Sequence, residues 1–225
     1  MVFIRPNGQR AKSVITLIWI VLALEIVSLI SSLLQYNLLQ SALMGGEIST
    51  EAANANDSRE QVVGILYLLA FVVSGVTFIM WFRRAYFNLH QLLPNLNYSE
   101  GWAAGAWFVP ILNLFRPFQI MKELFEEARR LLQNQNIGYN ASFSGDKLGI
   151  WWTLWVISNL IGQFVLRASR KAETIDQLHT LTMVEIVGSI IGIPLALVTI
   201  NIIKEYSRIE PLLMEASETT THNIG

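Results

Sequence analysis

Five polar side chains lie within or at the end of long apolar stretches of this chain, where burying an ionisable group is costly. They are Glu25, Asn159, Gln163, Arg167 and Glu185. An ionisable group at the centre of a bilayer costs about 2.5–3.5 kcal/mol on insertion scales, so it usually marks a functional position. Counting about 1.5 Å per helical residue places the two glutamates and the two amides at comparable depths. We therefore expect one polar seam, with Arg167 at its outer end.

Two kinds of role suit such a seam. As a functional element it would be a proton or cation path, or a docking site for a cation on a partner. As a structural element it would be a glutamate, protonated or paired with Arg167, that ties helices together. The variants Glu25→Gln and Glu185→Gln keep the shape and remove the charge. Loss of function with an intact fold in these variants would indicate the path.

Other sequence patterns for catalysis or metal binding are missing. The chain has no cysteine, which excludes disulfides, thiolate metal sites and cysteine nucleophiles. Its histidines are His90, His179 and His222, and the topology below places His179 on the other side of the membrane, so we expect no metal site. Phosphate-loop, dinucleotide-binding, nucleophile-elbow and zinc-protease motifs do not occur. We expect a protein that is not an enzyme and holds no cofactor.

The stretches that carry the polar groups are long enough to cross a membrane. Of the 225 residues, 52% are hydrophobic and 15% are charged, which is more apolar than a soluble domain needs to be. A helix spans the hydrocarbon core with about 20 apolar residues. Suitable runs occupy residues 14–39, 62–82, 148–166 and 180–203. We therefore expect an all-α integral membrane protein with four transmembrane helices.

The distribution of lysine and arginine predicts how these helices are oriented. Basic residues precede the first run and segment 45–60 is acidic, so we expect the N-terminus in the cytoplasm and 45–60 outside. Basic residues also follow the second and fourth runs, which places both termini inside. Three cations in the turn after the third run do not fit: Arg167, Arg170 and Lys171. Residues 1–210 would form a single membrane domain, and 211–225 a flexible cytoplasmic tail.

A proline-broken apolar segment, 101–116, lies between the second and third runs. It is short for a crossing, and a crossing would move the basic region after it to the outside. Pro110 removes a backbone donor, and Asn113 is expected to bond the groups that Pro110 leaves. Irregular backbone at membrane depth needs protein or a water-filled cavity around it. We expect a re-entrant or interfacial element, with a kinked fifth span as the alternative.

An amphipathic helix is predicted for residues 117–133 on the cytoplasmic side. Pro117 suits the first turn of a helix. Apolar residues then recur at helical spacing, while charged residues occupy the opposite side. The apolar face would either lie in the lipid headgroup plane or cover a protein contact, and both alternatives stay open.

A pattern of tryptophan, asparagine and proline extends from the second apolar run into the amphipathic helix. It reads W-x-x-R, then N-L, then W-F-x-P-x-x-N-L-x-x-P. The matching residues are Trp81, Arg84, Asn88, Leu89, Trp107, Phe108, Pro110, Asn113, Leu114 and Pro117, while Trp102 is one residue from the family's spacing. The pattern resembles the bacterial polytopic membrane family named domain of unknown function, DUF4328. The resemblance implies a bacterial membrane protein, and it implies no activity, substrate or catalytic residue.

Two further features leave their contacts open. Arg84 would anchor its helix end at the headgroups, bond carbonyls near the proline break, or pair with Glu123 or Glu126. Gly188 and Gly192 form a G-x-x-x-G match, which lets helix backbones approach closely. That contact would be either internal or between subunits.

Two classes of function suit this architecture. We expect a non-enzymatic accessory or scaffold subunit, or an assembly factor, of a complex in the bacterial cytoplasmic (inner) membrane. Its partners would be the lipid bilayer and other membrane subunits or further copies of the chain. A net charge of -1 gives no reason to expect nucleic acid. The alternative is a small oligomeric transporter or channel-like protein whose broken segment lines a polar cavity.

Overall fold

The described part of the chain consists of helices and their connections. A computed structural model describes residues 4–135, 137 and 145–222, with side chains described as far as residue 215. Its α-helices are α1 (Gly8–Leu43), α2 (Thr50–Leu92), α3 (Trp102–Gly105), α4 (Arg116–Asn134), α5 (Gly145–Ala168) and α6 (Ile175–His222). Short 3₁₀ turns occupy Leu112–Leu114 and Ser169–Lys171. These described residues contain no strand.

Four of these helices, α1, α2, α5 and α6, are long and apolar enough to cross a membrane. Each contains one of the four expected runs, so the all-α membrane class and the number of spanning helices are confirmed. Large apolar side chains on these helices are more than half exposed, among them Leu68, Phe164 and Ile190. Lipid tails would cover such a surface, whereas water would make it prone to aggregation.

Two helices extend beyond the expected limits. Most of segment 45–60, expected as an external loop, is the beginning of α2, which starts at Thr50. The Ser49 hydroxyl caps this helix by accepting a hydrogen bond from the Ala52 N–H at 3.1 Å. Helix α6 continues to His222, where a tail was expected from residue 211. Burial of Leu213 stabilises this continuation. Residues 136 and 138–144, between α4 and α5, lie outside the described residues.

The chain divides into two compact units. Unit 1 comprises Met1–Thr16, Ser74–Trp152 and Val198–Gly225. Unit 2 comprises Leu17–Val73 and Thr153–Leu197. Each unit has its own buried polar groups, and these determine how its segments are held.

An aromatic cluster forms the core of unit 1. Phe78 on α2 packs against Trp107 and Trp151, with ring centroids 5.7 Å and 6.2 Å apart. Trp81, almost one turn further along α2, is fully buried and contacts Tyr206 of α6 edge to face at 6.1 Å. Such aromatic pairs contribute about 0.5–1.5 kcal/mol beyond the burial of their area. The cluster therefore fixes three helices of unit 1 around the segment that follows α3.

Helix α4 packs its apolar face inside unit 1. Pro117 stands in its first turn, as expected, and is buried. The fully buried side chains of the helix are Ile120, Met121, Leu124, Ala128 and Leu132. On the opposite face Lys122 pairs with Glu126 at 3.7 Å, and both are exposed. Of the two alternatives for this amphipathic helix, the structure shows the protein contact.

Two glycines of α6 allow close packing within unit 2. A Cβ atom at Gly188 would lie 3.2 Å from the Ile161 side chain of α5. A Cβ atom at Gly192 would lie 2.7 Å from the carboxyl carbon of Glu25 on α1. The G-x-x-x-G face of α6 is therefore used inside the chain, which answers the alternative that the sequence left open.

Gly192→Ala should destabilise the protein, because its methyl group would push the Glu25 carboxyl away from the hydroxyls that bind it. Overpacking of this kind costs about 1–3 kcal/mol. Gly64→Ala on α2 is the matched control, since its Cβ would meet nothing within 4 Å. The measurement is unfolding of the purified chain in detergent. In a Glu25→Ala background the cost of Gly192→Ala should shrink. An equal cost in both backgrounds would contradict the packing described.

Candidate functional site

Glu25 is held inside unit 2 by donors from two other helices. The residue is only 7% exposed. The hydroxyls of Tyr67 on α2 and Ser189 on α6 are hydrogen-bonded to its carboxyl. A buried carboxyl without such donors would be strongly unfavourable. Glu25 therefore connects α1, α2 and α6 of unit 2.

A second polar network in unit 2 is centred on Arg59 of α2. The guanidinium Nε donates to Ser31 Oγ of α1 at 2.9 Å, and Nη2 donates to Asn56 Oδ1 at 2.6 Å. The Ser31 hydroxyl in turn donates to the Glu60 carboxylate at 2.6 Å. Charge-assisted bonds of this kind are stronger than neutral ones. Nothing in the acidic segment 45–60 had indicated this role for Arg59.

The Arg59 network continues from α2 through α1 to α6. The Asn56 amide donates to Gln35 Oε1 on α1 at 2.9 Å. The Gln35 amide donates to the Thr182 hydroxyl on α6 at 2.8 Å. Side-chain bonds between membrane helices contribute about 0.6 kcal/mol each on average. This chain of amides and hydroxyls therefore joins the same three helices as Glu25, through different residues.

Glu185, the second predicted carboxylate, is half-buried on α6. The charged group that acts on it is the carboxylate of Glu60 on α2, a like charge that repels it. Among the described residues, no hydrogen bond or ion pair joins Glu185 to Glu25 or to Arg167. The two predicted carboxylates therefore have different neighbours.

The predicted polar residues of α5 make their hydrogen bonds within their own helix. The Asn159 amide donates to the carbonyl of Trp155 at 2.9 Å. Arg167 Nη2 lies 3.5 Å from Gln163 Oε1, one turn away on an exposed part of the helix. Residues four apart on a helix face one another, so local contacts satisfy these groups. The described hydrogen bonds do not connect them to the two carboxylates.

Asn88, a residue of the sequence pattern, lies at the centre of a buried polar site in unit 1. Its amide nitrogen donates to Glu210 Oε1 of α6 at 2.7 Å and to the carbonyl of Arg5 at 2.8 Å. Its amide oxygen accepts the Arg5 N–H at 3.0 Å. Both Asn88 and Glu210 are less than 5% exposed. One asparagine therefore holds α2, α6 and the segment before α1 together.

Burial shifts the titration of Glu210, which lies beyond the end of the apolar run 180–203. Desolvation raises the pKa of its carboxyl from 4.5 to about 7. The amides of Asn88 and Asn7 and the charge of Arg84 act in the opposite direction and are outweighed.

Glu123 of α4 forms a second buried tie in unit 1. It accepts the Tyr86 hydroxyl of α2 at 2.5 Å. It also accepts both the backbone and the side-chain N–H of Asn97, each at 2.7 Å. Three donors on one carboxylate compensate for the loss of water around it. Glu123 therefore fixes α4 to α2 and to the connection between α2 and α3.

Residues 101–116 form short turns, and no helix long enough to span a membrane. Their pieces are α3, with four residues, and the 3₁₀ turn Leu112–Leu114. Between them Ile111 has a φ of 69°, in the left-handed region that a β-branched residue rarely adopts. The alternative of a kinked fifth span is not found among the described helices.

Two tryptophans hold this broken segment by hydrogen bonds to its backbone. Trp107 Nε1 donates to the Ala103 carbonyl at 3.1 Å, and Trp152 Nε1 of α5 donates to the Leu114 carbonyl at 2.9 Å. The Asn113 backbone N–H donates to the Val109 carbonyl, next to Pro110, at 3.0 Å. A bond from Asn113 to the carbonyl that Pro110 leaves without a donor stays a prediction.

The tip of the broken segment exposes apolar side chains. Phe108 is 74% exposed and Ile111 is 72% exposed. Leu114 and Phe115 are also exposed. At the end of the segment the guanidinium of Arg116 lies over the Tyr98 ring, 4.8 Å from its centroid. The exposed apolar tip thus belongs to a segment that is held in place by tryptophan hydrogen bonds and by the contact between Arg116 and Tyr98.

Arg84 makes neither of the two protein contacts proposed for it from the sequence, whereas its anchoring at the headgroups stays a prediction. Glu123 is bound by Tyr86 and Asn97, and Glu126 pairs with Lys122. No hydrogen bond joins Arg84 to the broken segment within the described residues. Its positive charge instead acts on Glu210. Glu123 and Glu126 are thus bound by other donors, which lie on α2, on the connection after α2 and on α4 itself.

The two histidines whose side chains are described pack against tyrosines. His90 Nε2 lies 2.8 Å from the Tyr98 carbonyl in unit 1, and its ring stands edge to face on Tyr86. His179 stacks on Tyr36 in unit 2, with centroids 4.6 Å apart. The described residues contain no group of three or more histidine or acidic side chains arranged to hold a metal ion.

Comparison with known families gives one match. The family described as Domain of unknown function (DUF4328) matches residues 45–208. The chain belongs to this family. No curated protein and no solved structure shows a significant match.

The DUF4328 region contains Arg59, Asn88 and Glu123, whereas Glu25 precedes it and Glu210 lies just beyond it. Asn88 was singled out by the sequence pattern, but its partner was not. Arg59, Glu123 and Glu210 were missed as site residues. The one available signal in the sequence was a charged residue that falls on the apolar face of a predicted helix. Glu123 is such a residue, since it lies between Ile120 and Leu124 on the buried face of α4.

Glu210→Gln should make the protein less sensitive to rising pH. The folded carboxyl keeps its proton to about pH 7, whereas an ordinary glutamate loses it near 4.5. The stability from this group is therefore full below about pH 4.5 and is lost as the pH rises through 7. Glutamine still accepts the Asn88 bond and never ionises. The stability difference between variant and wild type should grow by about 1–3 kcal/mol between pH 5 and 8. Glu126→Gln on the exposed face of α4 is the control, and parallel pH profiles for Glu210→Gln and wild type would contradict the assignment.

Proposed function

We propose that this DUF4328 protein is a non-enzymatic accessory or scaffold subunit, or an assembly factor, of a membrane complex. The observation that carries the proposal is the use of its buried acidic side chains as ties between segments. Glu25, Glu123 and Glu210 each accept hydrogen bonds from at least one other segment. An ionised carboxylate offers only about four acceptor positions. One that is occupied by fixed donors has few positions left for binding a substrate.

The exposed tip of segment 101–116 supports a further part of the proposal, an interfacial position in the bilayer. Its apolar side chains are flanked by Trp102 and Arg116. Tryptophan and arginine are the residues that suit the boundary between hydrocarbon and headgroups. Four apolar helices bring the same chain to a membrane. The lipid bilayer is thus the occupant that we assign to this tip.

The distribution of charges supports a place in the bacterial inner membrane with both termini in the cytoplasm. Since the chain has no cysteine, single cysteines can be introduced without interference. An impermeant thiol reagent added outside should label position 49 in Ser49→Cys, and should not label Gln119→Cys. An environment-sensitive probe at Phe108→Cys should report an apolar setting in lipid vesicles. External labelling at position 119 would contradict the topology, and a water-like signal at 108 would contradict the interfacial tip.

A transporter is the second candidate, favoured by the pair of acidic groups Glu60 and Glu185 in unit 2. Two like-charged carboxylates near one another attract a cation or share a proton. Transport would require this pair to exchange its ion. Glu60, however, accepts a bond from Ser31 and lies 3.4 Å from Arg59, which already supplies a positive charge.

The accessory role and the transporter role differ in what the purified chain does. The accessory role predicts that the chain leaves native membranes in a mild detergent with a second membrane polypeptide at fixed stoichiometry. It also predicts that the chain alone in liposomes shows no more proton or cation flux than Glu25→Gln or Glu185→Gln. A chain that purifies only with copies of itself, with a flux that Glu185→Gln abolishes, would establish the transporter instead.

A further inference from the structure

A cavity of about 420 Å³ in unit 1 has three cationic side chains among the seven residues that line it. Lys147 reaches it from the first turn of α5, and Lys204 and Arg208 reach it from α6. The carboxylate of Glu205 also lines it and lies 3.6 Å from the Arg208 guanidinium. The lining residues therefore carry three positive charges and one negative charge. A ligand for this cavity should therefore carry negative charge.

The cavity also has an apolar side, formed by Ile150 and Val198. Ile150 is 54% exposed. Lys147 comes just before the apolar run 148–166, and Lys204 comes just after the run 180–203. The start of the first run and the end of the second therefore lie on the same side of the membrane. The cations lie at the boundary between the hydrocarbon core and the headgroups. A ligand that fits both sides has a charged end and an apolar end.

Phosphate oxygens match the donors of this cavity. Lysine and arginine bind phosphate through short charge-assisted hydrogen bonds. The first turn of α5 also has backbone N–H groups without helical partners, which favour an anion nearby. Basic pockets between transmembrane helices are suited to lipid headgroups. We propose that the cavity binds the phosphate group of an anionic phospholipid, with Ile150 and Val198 against the beginning of an acyl chain.

The charge of the lining favours an anionic lipid over a zwitterionic one. A choline or ethanolamine group would bring a further cation towards Lys147, Lys204 and Arg208. A headgroup of net charge −1 would leave the cations better compensated. Free phosphate has the same oxygens but makes no use of the apolar side.

The test is binding of water-soluble dihexanoyl phosphatidylglycerol to the full purified chain in neutral detergent. Dihexanoyl phosphatidylcholine and inorganic phosphate are measured in parallel. Lys204→Gln should weaken phosphatidylglycerol binding roughly five- to tenfold, since each basic residue near a lipid surface contributes at that level. Lys204→Gln combined with Arg208→Gln should weaken it further. The double variant removes Arg208, the partner of Glu205. If that loss impairs folding, the single variant Lys204→Gln still tests the site, because Lys204 is exposed.

Lys122→Gln is the matched control, because it removes an exposed lysine of unit 1 that lies on α4. It should leave the affinity for phosphatidylglycerol unchanged within about twofold, as exposed ion pairs contribute little. Equal affinity of wild type and Lys204→Gln would overturn the site. Equal affinity for phosphatidylcholine would overturn the selection by charge. Inorganic phosphate that competes as well as the lipid would show a free-phosphate site and overturn the lipid as its source.

Discussion

Glu123 accepts hydrogen bonds from three donors that belong to two different segments of unit 1. The Tyr86 hydroxyl fixes the carboxylate to α2, and Asn97 fixes it to the connection that leads to α3. In the register that brings Glu123 to these donors, helix α4 also packs Phe125 against Tyr206 of the aromatic core, with ring centroids 5.4 Å apart. Removing one partner of a buried charge costs about 3–5 kcal/mol, far more than a surface contact. The position of segment 101–116, between this connection and α4, depends on the same interaction.

Because a buried polar group needs hydrogen-bond partners, the buried polar side chains of this apolar chain occur in hydrogen-bonded groups. In unit 2 the Glu25 carboxyl is bound by two hydroxyls, and Arg59 has partners on α1 and α2. Neutral apolar contacts in lipid do not favour one helix register strongly, because lipid tails are as apolar as leucine. A buried polar group is satisfied in only one arrangement. The polar ties therefore specify which helices meet, and they support a role in holding segments or subunits together.

The spanning helices were predictable because the length of an apolar run and the thickness of a bilayer are sufficient to identify them. The break at Pro110 was also predictable, since proline removes a donor wherever it stands. The polar ties could not be predicted from the sequence, because each joins residues far apart in the chain, such as Asn88 and Glu210. The predicted seam assumed that residues at equal depth meet. Depth does not determine which side of a helix a residue occupies, and Gln163 and Arg167 lie on an exposed side of α5.

The most direct measurement of the tie at Glu123 is a double-mutant cycle with Tyr86→Phe and Glu123→Leu. The free energy of unfolding of the full chain is measured in detergent for wild type, both single variants and the double variant. We predict that Tyr86→Phe destabilises the wild type but has a much smaller effect beside Glu123→Leu, with a coupling of about 1–3 kcal/mol. Two effects that add to within about 0.5 kcal/mol would contradict the claim that buried acidic groups hold this protein together.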